Sequence, residues 1–215
     1  MQRRRHLARV GRSHLQRVAL AQHNAAMLLN IPITLTWLRI AAIPLFVAVL
    51  YFPGWGWLTV HQANVAATSL FIAAAVTDWF DGYLARKLNQ TSAFGAFLDP
   101  VADKLMVAAA VIVLVELGRT EAVVALIIVG REITISALRE WMAQIGQSKS
   151  VAVSMIGKIK TVTQLVAIPF LLYDGLLFGV LDCRVAGTIF IWVAAGLTLW
   201  SMVYYLKAAS VDHKA

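Results

Sequence analysis

A single cysteine, a small share of charged residues and the absence of any acidic residue ahead of Asp78 set the first limits on this sequence. Cys183 cannot form an intrachain disulfide and reads as a small apolar filler. Only 14% of the 215 residues are charged, against roughly a quarter in soluble domains. Mean hydropathy is +0.74 and 60% of the residues are hydrophobic. These shortages argue against an ordinary soluble domain and suit one compact membrane bundle.

The net charge of +8 raises the question of nucleic acid, and its distribution answers it. Six of the 19 basic residues fall at Arg3, Arg4, Arg5, Arg9, Arg12 and Arg17. A basic end beside apolar spans is the signature of contact with anionic membrane lipids, not of a nucleic-acid groove. Residues 1–26 stand apart in character. Leu7, Val10, His14, Val18 and Ala21 follow helical spacing between the arginines, as a surface-lying helix would. A disordered basic tail, a start at Met27, or an organellar targeting peptide are the alternatives. The membrane domain is expected over 27–209, with 210–215 a short tail.

Six apolar segments are expected, at about 33–52, 60–81, 98–117, 121–142, 159–178 and 184–206. The first and last are clear, whereas the middle ones contain ionised side chains. Crossing the hydrocarbon takes about 20 helical residues. The third segment is purely apolar only over 105–115, so it must recruit Leu98 to Lys104, and that polar beginning must face protein or water. Basic residues bias the topology. The N-terminal region, the 82–97 connection with Arg86 and Lys87, the 139–160 region and the tail with Lys207 and Lys214 are basic. The opposite connections hold none, Arg119 alone and Arg184 alone. Both termini are therefore expected in the cytoplasm, with Trp55 and Trp57 at the outer interface.

The residues that carry chemistry begin at the first acidic position. On a helix, Asp78, Asp81, Gly82 and Ala85 fall at i, i+3, i+4 and i+7 and form one stripe. Gly95, Asp99 and Asp103 form a second, at i, i+4 and i+8. If the two helices face each other, four carboxylates converge near the cytoplasmic ends of their spans. Gathered empty in a low dielectric they would repel and take up protons. Hard divalent cations remove that conflict, and magnesium or manganese, as two ions, suit oxygen ligands with room for phosphates. No histidine or cysteine joins the cluster, so zinc is not indicated.

Gly82, Ala85 and Gly95 leave room for a bulky group such as a nucleotide, although small residues also serve close helix packing in membranes. Arg86 suits a diphosphate or lipid headgroups. Pro100 disfavours helical geometry at Asp99, so either the third helix starts near Asp99 or the backbone opens there. In the fourth span Glu132, Ser136 and Arg139 share a face, with Arg131 about 100° away. Glu132 is expected to pair with Arg139 or with a neighbouring helix. Arg131, Arg139, Lys158 and Lys160 together would make a basic pocket for a phosphorylated acceptor, with Thr161 and Gln164 lining the same cavity.

The spacing of Asp78, Asp81, Gly82, Ala85, Arg86, Gly95, Asp99 and Asp103 resembles, without a departure, the signature of the CDP-alcohol phosphatidyltransferases. The resemblance runs from about Asn30 to Tyr205 and includes Asn30-Ile31-Pro32, Leu35-Thr36, Arg39, Arg131-Glu132, Ser136 to Met142 and Gly157 to Thr161. Ile33 departs from the asparagine that many members carry after the proline, outside the metal signature. The resemblance implies an all-α, six-helix, homodimeric enzyme of a bacterial cytoplasmic membrane, using magnesium or manganese, with its site toward the cytoplasm. Asp78, Asp81 and Asp99 would then ligate metal, and Asp103 would sit near metal and act as base. Asp81, Gly82, Ala85, Arg86 and Gly95 would bound the cytidine-diphosphate end of CDP-diacylglycerol. The acceptor implied is sn-glycerol 3-phosphate, and the chemistry is direct displacement at the phosphorus next to diacylglycerol. Serine, an inositol phosphate or phosphatidylglycerol would use the same chemistry. A cation transporter is the reading from a different class, and it lacks a matching acidic site in the other half of the chain.

Overall fold

The computed structural model describes residues 31–87, 93–145 and 155–212, and the basic extension 1–26 lies outside them. Six α-helices occur among the described residues: α1 Ile31–Tyr51, α2 Val60–Lys87, α3 Ala93–Glu116, α4 Ala122–Gln144, α5 Met155–Tyr173 and α6 Cys183–Asp212. A 3-10 turn, Phe52–Trp55, follows α1, and a two-stranded hairpin pairs β1 Leu176–Leu177 with β2 Leu181–Asp182. Among the described residues, three stretches are long and apolar enough to cross a membrane: Ile33–Trp55, Val60–Asp78 and Cys183–Tyr204. Ile159–Tyr173 is apolar but shorter.

The helices bury small and branched side chains against one another and turn large apolar ones outward. Phe46, Phe71, Leu114, Ile128, Ile168 and Ile191, one from each helix, meet in a single core. Leu126, Val162 and Trp200 lie on the outside, each more than 60% exposed. Arg39, Arg131, Lys160 and Gln164 are buried. Charge inside and hydrocarbon outside is the arrangement of a protein whose solvent is lipid.

Contacts between α5 and α6 are the most extensive in the bundle. Gly187 makes that approach possible, because a Cβ there would sit 2.8 Å from Leu171 Cγ and 3.0 Å from its backbone nitrogen. At the same end a buried arginine ties three elements together. Arg119, in the α3–α4 connection, donates to the carbonyls of Leu171 and Leu172 at 3.2 and 2.7 Å and to Asn64 Oδ1 at 2.8 Å. These carbonyls belong to the last turn of α5, where intrahelical partners run out. Asp174 pairs with Arg119 at 3.2 Å and with Arg184 at 2.8 Å. Burial lowers the Arg119 pKa and Asp174 acts against that shift. Replacing Arg119 with methionine strands the carbonyls and half of the Asp174 pairing. The expected loss is roughly 2–4 kcal/mol, read as a lower unfolding midpoint in detergent; an unchanged midpoint would remove Arg119 from this account.

Several expectations change here. α3 begins at Ala93, not near Asp99, and Pro100 lies inside a continuous helix. The backbone therefore does not open at Asp99; the helix gives up the one hydrogen bond that a proline nitrogen cannot donate. α5 ends at Tyr173, short of 178, because Asp174 turns to φ 49° and the hairpin follows, with Phe178 at φ 55° and Gly179 at φ 71°. α2 runs on past 81 to Lys87, carrying the first acidic stripe on unbroken helix. Arg119 and Arg184, read from sequence as isolated loop charges, belong to one ion-pair network.

Candidate active site

The polar end of the bundle lies opposite the Arg119 network, where α1 begins and α2 ends. α1 supplies the organising groups. Thr36 and Arg39 are buried one turn apart, on the face of α1 that further along buries Phe46 and Leu50, so that face passes from apolar core to polar site toward the N-terminal half. Arg39 Nη1 donates to Asp78 Oδ1 at 2.7 Å and to Asp103 Oδ1 at 2.8 Å. Both oxygens sit on a single nitrogen, so the carboxylates of α2 and α3 are held close together. Thr36 Oγ1 donates to Asp99 Oδ1 at 2.5 Å, one helical turn from Asp103 on α3.

The convergence expected of the aspartates is therefore present for Asp78 and Asp103, and α1 mediates it. α1 packs extensively against both α2 and α3, which touch each other only sparsely. The Arg39 side chain is 1% exposed, whereas those of Asp78 and Asp103 are 39% and 44% exposed. A buried cation thus holds two carboxylates whose other edges face open space. Gly95 is buried on the same helix as Asp99 and Asp103. Asp81, Gly82, Ala85 and Arg86 continue the stripe on α2, but their side chains lie outside the described residues, as does that of Lys158. Among the described residues no three acidic, histidine or cysteine groups gather tightly enough to hold a metal.

Reading the first span as free of ionised side chains overlooked Arg39. The signal was present in the sequence: a lone arginine inside an apolar span needs an anionic partner, and no acid precedes Asp78. Removing this charge tests its role. Arg39→Leu is expected to lower the stability of the metal-free protein by about 1.5–3 kcal/mol, the worth of hydrogen bonds to charged groups. Equal unfolding midpoints for variant and parent in chelator would contradict the role.

A second set of charges lies across the same end. Glu132 on α4 pairs with Lys160 of α5 and with Arg131 at 3.1 Å. Its partner is thus the neighbouring helix and not Arg139. Lys160 is 2% exposed and Arg131 7%. Arg131 also makes a long contact of 3.4 Å to Ser201 on α6. Two buried cations facing one acid leave a local excess of positive charge, to which the exposed Arg139 adds.

These groups surround a cavity of about 310 Å³ lined by Asp103, Lys104, Arg131, Arg139, Lys160 and Gln164, among others. A neighbouring cavity of about 180 Å³ is lined by Arg39, Asp78, Asp103 and apolar residues of α2 and α3. Asp103 and Thr161 line both. The arrangement sets an acidic half, able to hold a cation, beside a basic half, able to hold a phosphate, with Asp103 at the junction.

Comparison with known proteins gives these halves a context. The family described as CDP-alcohol phosphatidyltransferase matches residues 29–200. The CDP-diacylglycerol–glycerol-3-phosphate 3-phosphatidyltransferase of Escherichia coli strain K12 is 50% identical over 188 residues, which cover 86% of this chain and 98% of that protein. Proteins of the same name from Shigella sonnei strain Ss046 and Shigella flexneri serotype 5b are 50% and 49% identical over the same coverage.

Proposed function

The chain belongs to the CDP-alcohol phosphatidyltransferase family, and from that membership we infer that it transfers the phosphatidyl group of CDP-diacylglycerol to sn-glycerol 3-phosphate, giving phosphatidylglycerophosphate and CMP. The observation that carries the site assignment is the cavity in which Asp103 meets Arg131, Arg139 and Lys160. A phosphate seated on those cations brings a short alcohol's hydroxyl toward a carboxylate.

Lys160 and Arg131 hold the acceptor phosphate from below, and Arg139 approaches it from the exposed rim, with Lys158 completing the basic set. Fixing both charge and position this way makes the reaction effectively unimolecular. Asp103 takes the proton from the acceptor's primary hydroxyl. The new bond joins that oxygen to the phosphorus bearing diacylglycerol, and the bond from this phosphorus to the bridging oxygen of CMP breaks. Asp81, Gly82, Ala85, Arg86 and Gly95 bound the cytidine-diphosphate end. Arg39 keeps Asp78 and Asp103 in register throughout.

Asp78, Asp81, Asp99 and Asp103 would hold magnesium or manganese, two ions in number. The test of fit is the donor chemistry. Two carboxylates drawn to one cation, with a third a turn away, form a hard-oxygen set without imidazole or thiolate. When bound, the ions offset the charge that develops on the phosphoryl oxygens and on the departing phosphate.

All six helices are taken to span the membrane, with both termini in the cytoplasm and the site facing it. The basic ends and the exposed Trp55 and Trp57, stacked on the half-buried Phe52 at the opposite end, support that orientation. A bacterial cytoplasmic membrane and a homodimer follow as part of the same reading, with anionic lipids meeting the basic N-terminal region. Serine as acceptor would leave Arg131, Arg139 and Lys160 facing no phosphate. Against transport, the charges described at the far end, Arg119, Asp174 and Arg184, are paired among themselves.

Offering each acceptor singly to the purified protein with CDP-diacylglycerol and magnesium tests the assignment. Sn-glycerol 3-phosphate should give the phosphorylated lipid, and a lipid product only with serine, an inositol phosphate or phosphatidylglycerol would overturn the acceptor. The stereochemistry at phosphorus separates direct attack, which inverts, from an enzyme-linked intermediate, which retains.

A further inference from the structure

The acceptor cavity contains a polar group that the reaction described above does not use. Gln164 lies on α5 one helical turn beyond Lys160, on the same face, and is 6% exposed. Its Oε1 is buried and has no hydrogen-bond partner among the described residues. Arg131 of α4 lines the same cavity, and its Nε is in the same condition. Buried amide oxygens without a partner are rare, and two such atoms around one cavity point to a polar ligand that completes them.

Position narrows the ligand. Lys160 and Arg131 take the phosphate, and Asp103 faces the hydroxyl that attacks. Gln164 is roughly 6 Å along the helix from Lys160, on the scale of a three-carbon chain. The group that reaches this point in sn-glycerol 3-phosphate is the secondary hydroxyl on the middle carbon. A carboxamide suits a hydroxyl in either orientation, since its oxygen accepts and its nitrogen donates while the hydroxyl does both.

We propose that Gln164 recognises the middle hydroxyl of the acceptor, so that the enzyme selects a vicinal-diol phosphate over a phosphate with a lone terminal hydroxyl. This rests on the acceptor assignment above. A site built to hydrogen-bond a hydroxyl rejects the analogue that lacks it, because its own polar group is again left unpaired.

The experiment compares kcat/KM for sn-glycerol 3-phosphate and 3-hydroxypropyl phosphate, which keeps the primary hydroxyl and the phosphate but lacks the middle hydroxyl. The wild-type enzyme should prefer the former by on the order of 10- to 100-fold. In Gln164→Met the ratio should fall to within about threefold, through loss on sn-glycerol 3-phosphate alone. Equal use of both acceptors by the wild-type enzyme would overturn the proposal without recourse to any variant. So would a Gln164→Met enzyme that loses activity equally on both, which is the outcome of a merely structural role. If the wild-type enzyme uses another alcohol and neither of these phosphates, the acceptor assignment fails first and the proposal with it.

Discussion

Asp103→Asn should reduce phosphatidyl transfer by about 10²–10⁴-fold, the usual contribution of a positioned general base, while the protein remains folded. The substitution preserves shape. An asparagine oxygen can still accept from Arg39, which also keeps its bond to Asp78, so the junction of α1, α2 and α3 retains its hydrogen-bonded frame. What disappears is the ability to take a proton and a formal charge beside the cation site. Turnover at saturating acceptor, set beside the unfolding midpoint in the same detergent, separates the two effects. Near-normal turnover would rule out Asp103 as an essential base.

Stripping divalent metal is expected to bring CMP release down to background, with recovery on adding magnesium or manganese and none on adding monovalent salt. The reason is charge balance. Asp78 and Asp103 share one buried guanidinium, Asp99 is held by a hydroxyl that brings no charge, and Asp81 lies on the same stretch of α2. A CDP-lipid adds a diphosphate to that acidic half. One arginine cannot offset so much negative charge in a low dielectric, and like charges there would be driven to take up protons. Turnover that survives exhaustive chelation would show that Arg39 and the basic wall suffice, and would remove metal from the account.

The sequence made much of this end of the molecule legible because its chemistry is local. Asp78 and Asp81 fall at helical spacing, as do Asp99 and Asp103, and α2 and α3 carry the two pairs without a break. Arg131 and Arg139 are marked by the expense of charge in an apolar span, and they line one cavity with Lys160, which alone reads as an ordinary positive-inside flank. What spacing could not supply was partnership across helices. Glu132 had two candidate partners in sequence, and only the packing of α4 and α5 on a common neighbour, α6, brings Lys160 to it. Arg39 lies 39 residues from Asp78 and 64 from Asp103, a separation no periodicity bridges, so spacing assigns no role to the residue that gathers the aspartates.

Pro100 teaches the complementary lesson. Its local preference argued for a helix start or an open backbone at Asp99, and tertiary packing of Leu98, Ala102 and Met106 overrides it. The loop arginines have a second role that counting does not show. Positive-inside counting treats Arg119 as a topological charge, whereas its value lies in the carbonyls that it caps on another helix.

The most direct test of the central claim is the stoichiometry of products from purified protein in lipid micelles with CDP-diacylglycerol and magnesium. With sn-glycerol 3-phosphate present, CMP and phosphatidylglycerophosphate should appear in equal amounts, and neither should form when the acceptor is left out. CMP released at the same rate without any alcohol, or no CMP from a folded protein with any acceptor and metal, would contradict a phosphatidyl transfer centred on Asp103.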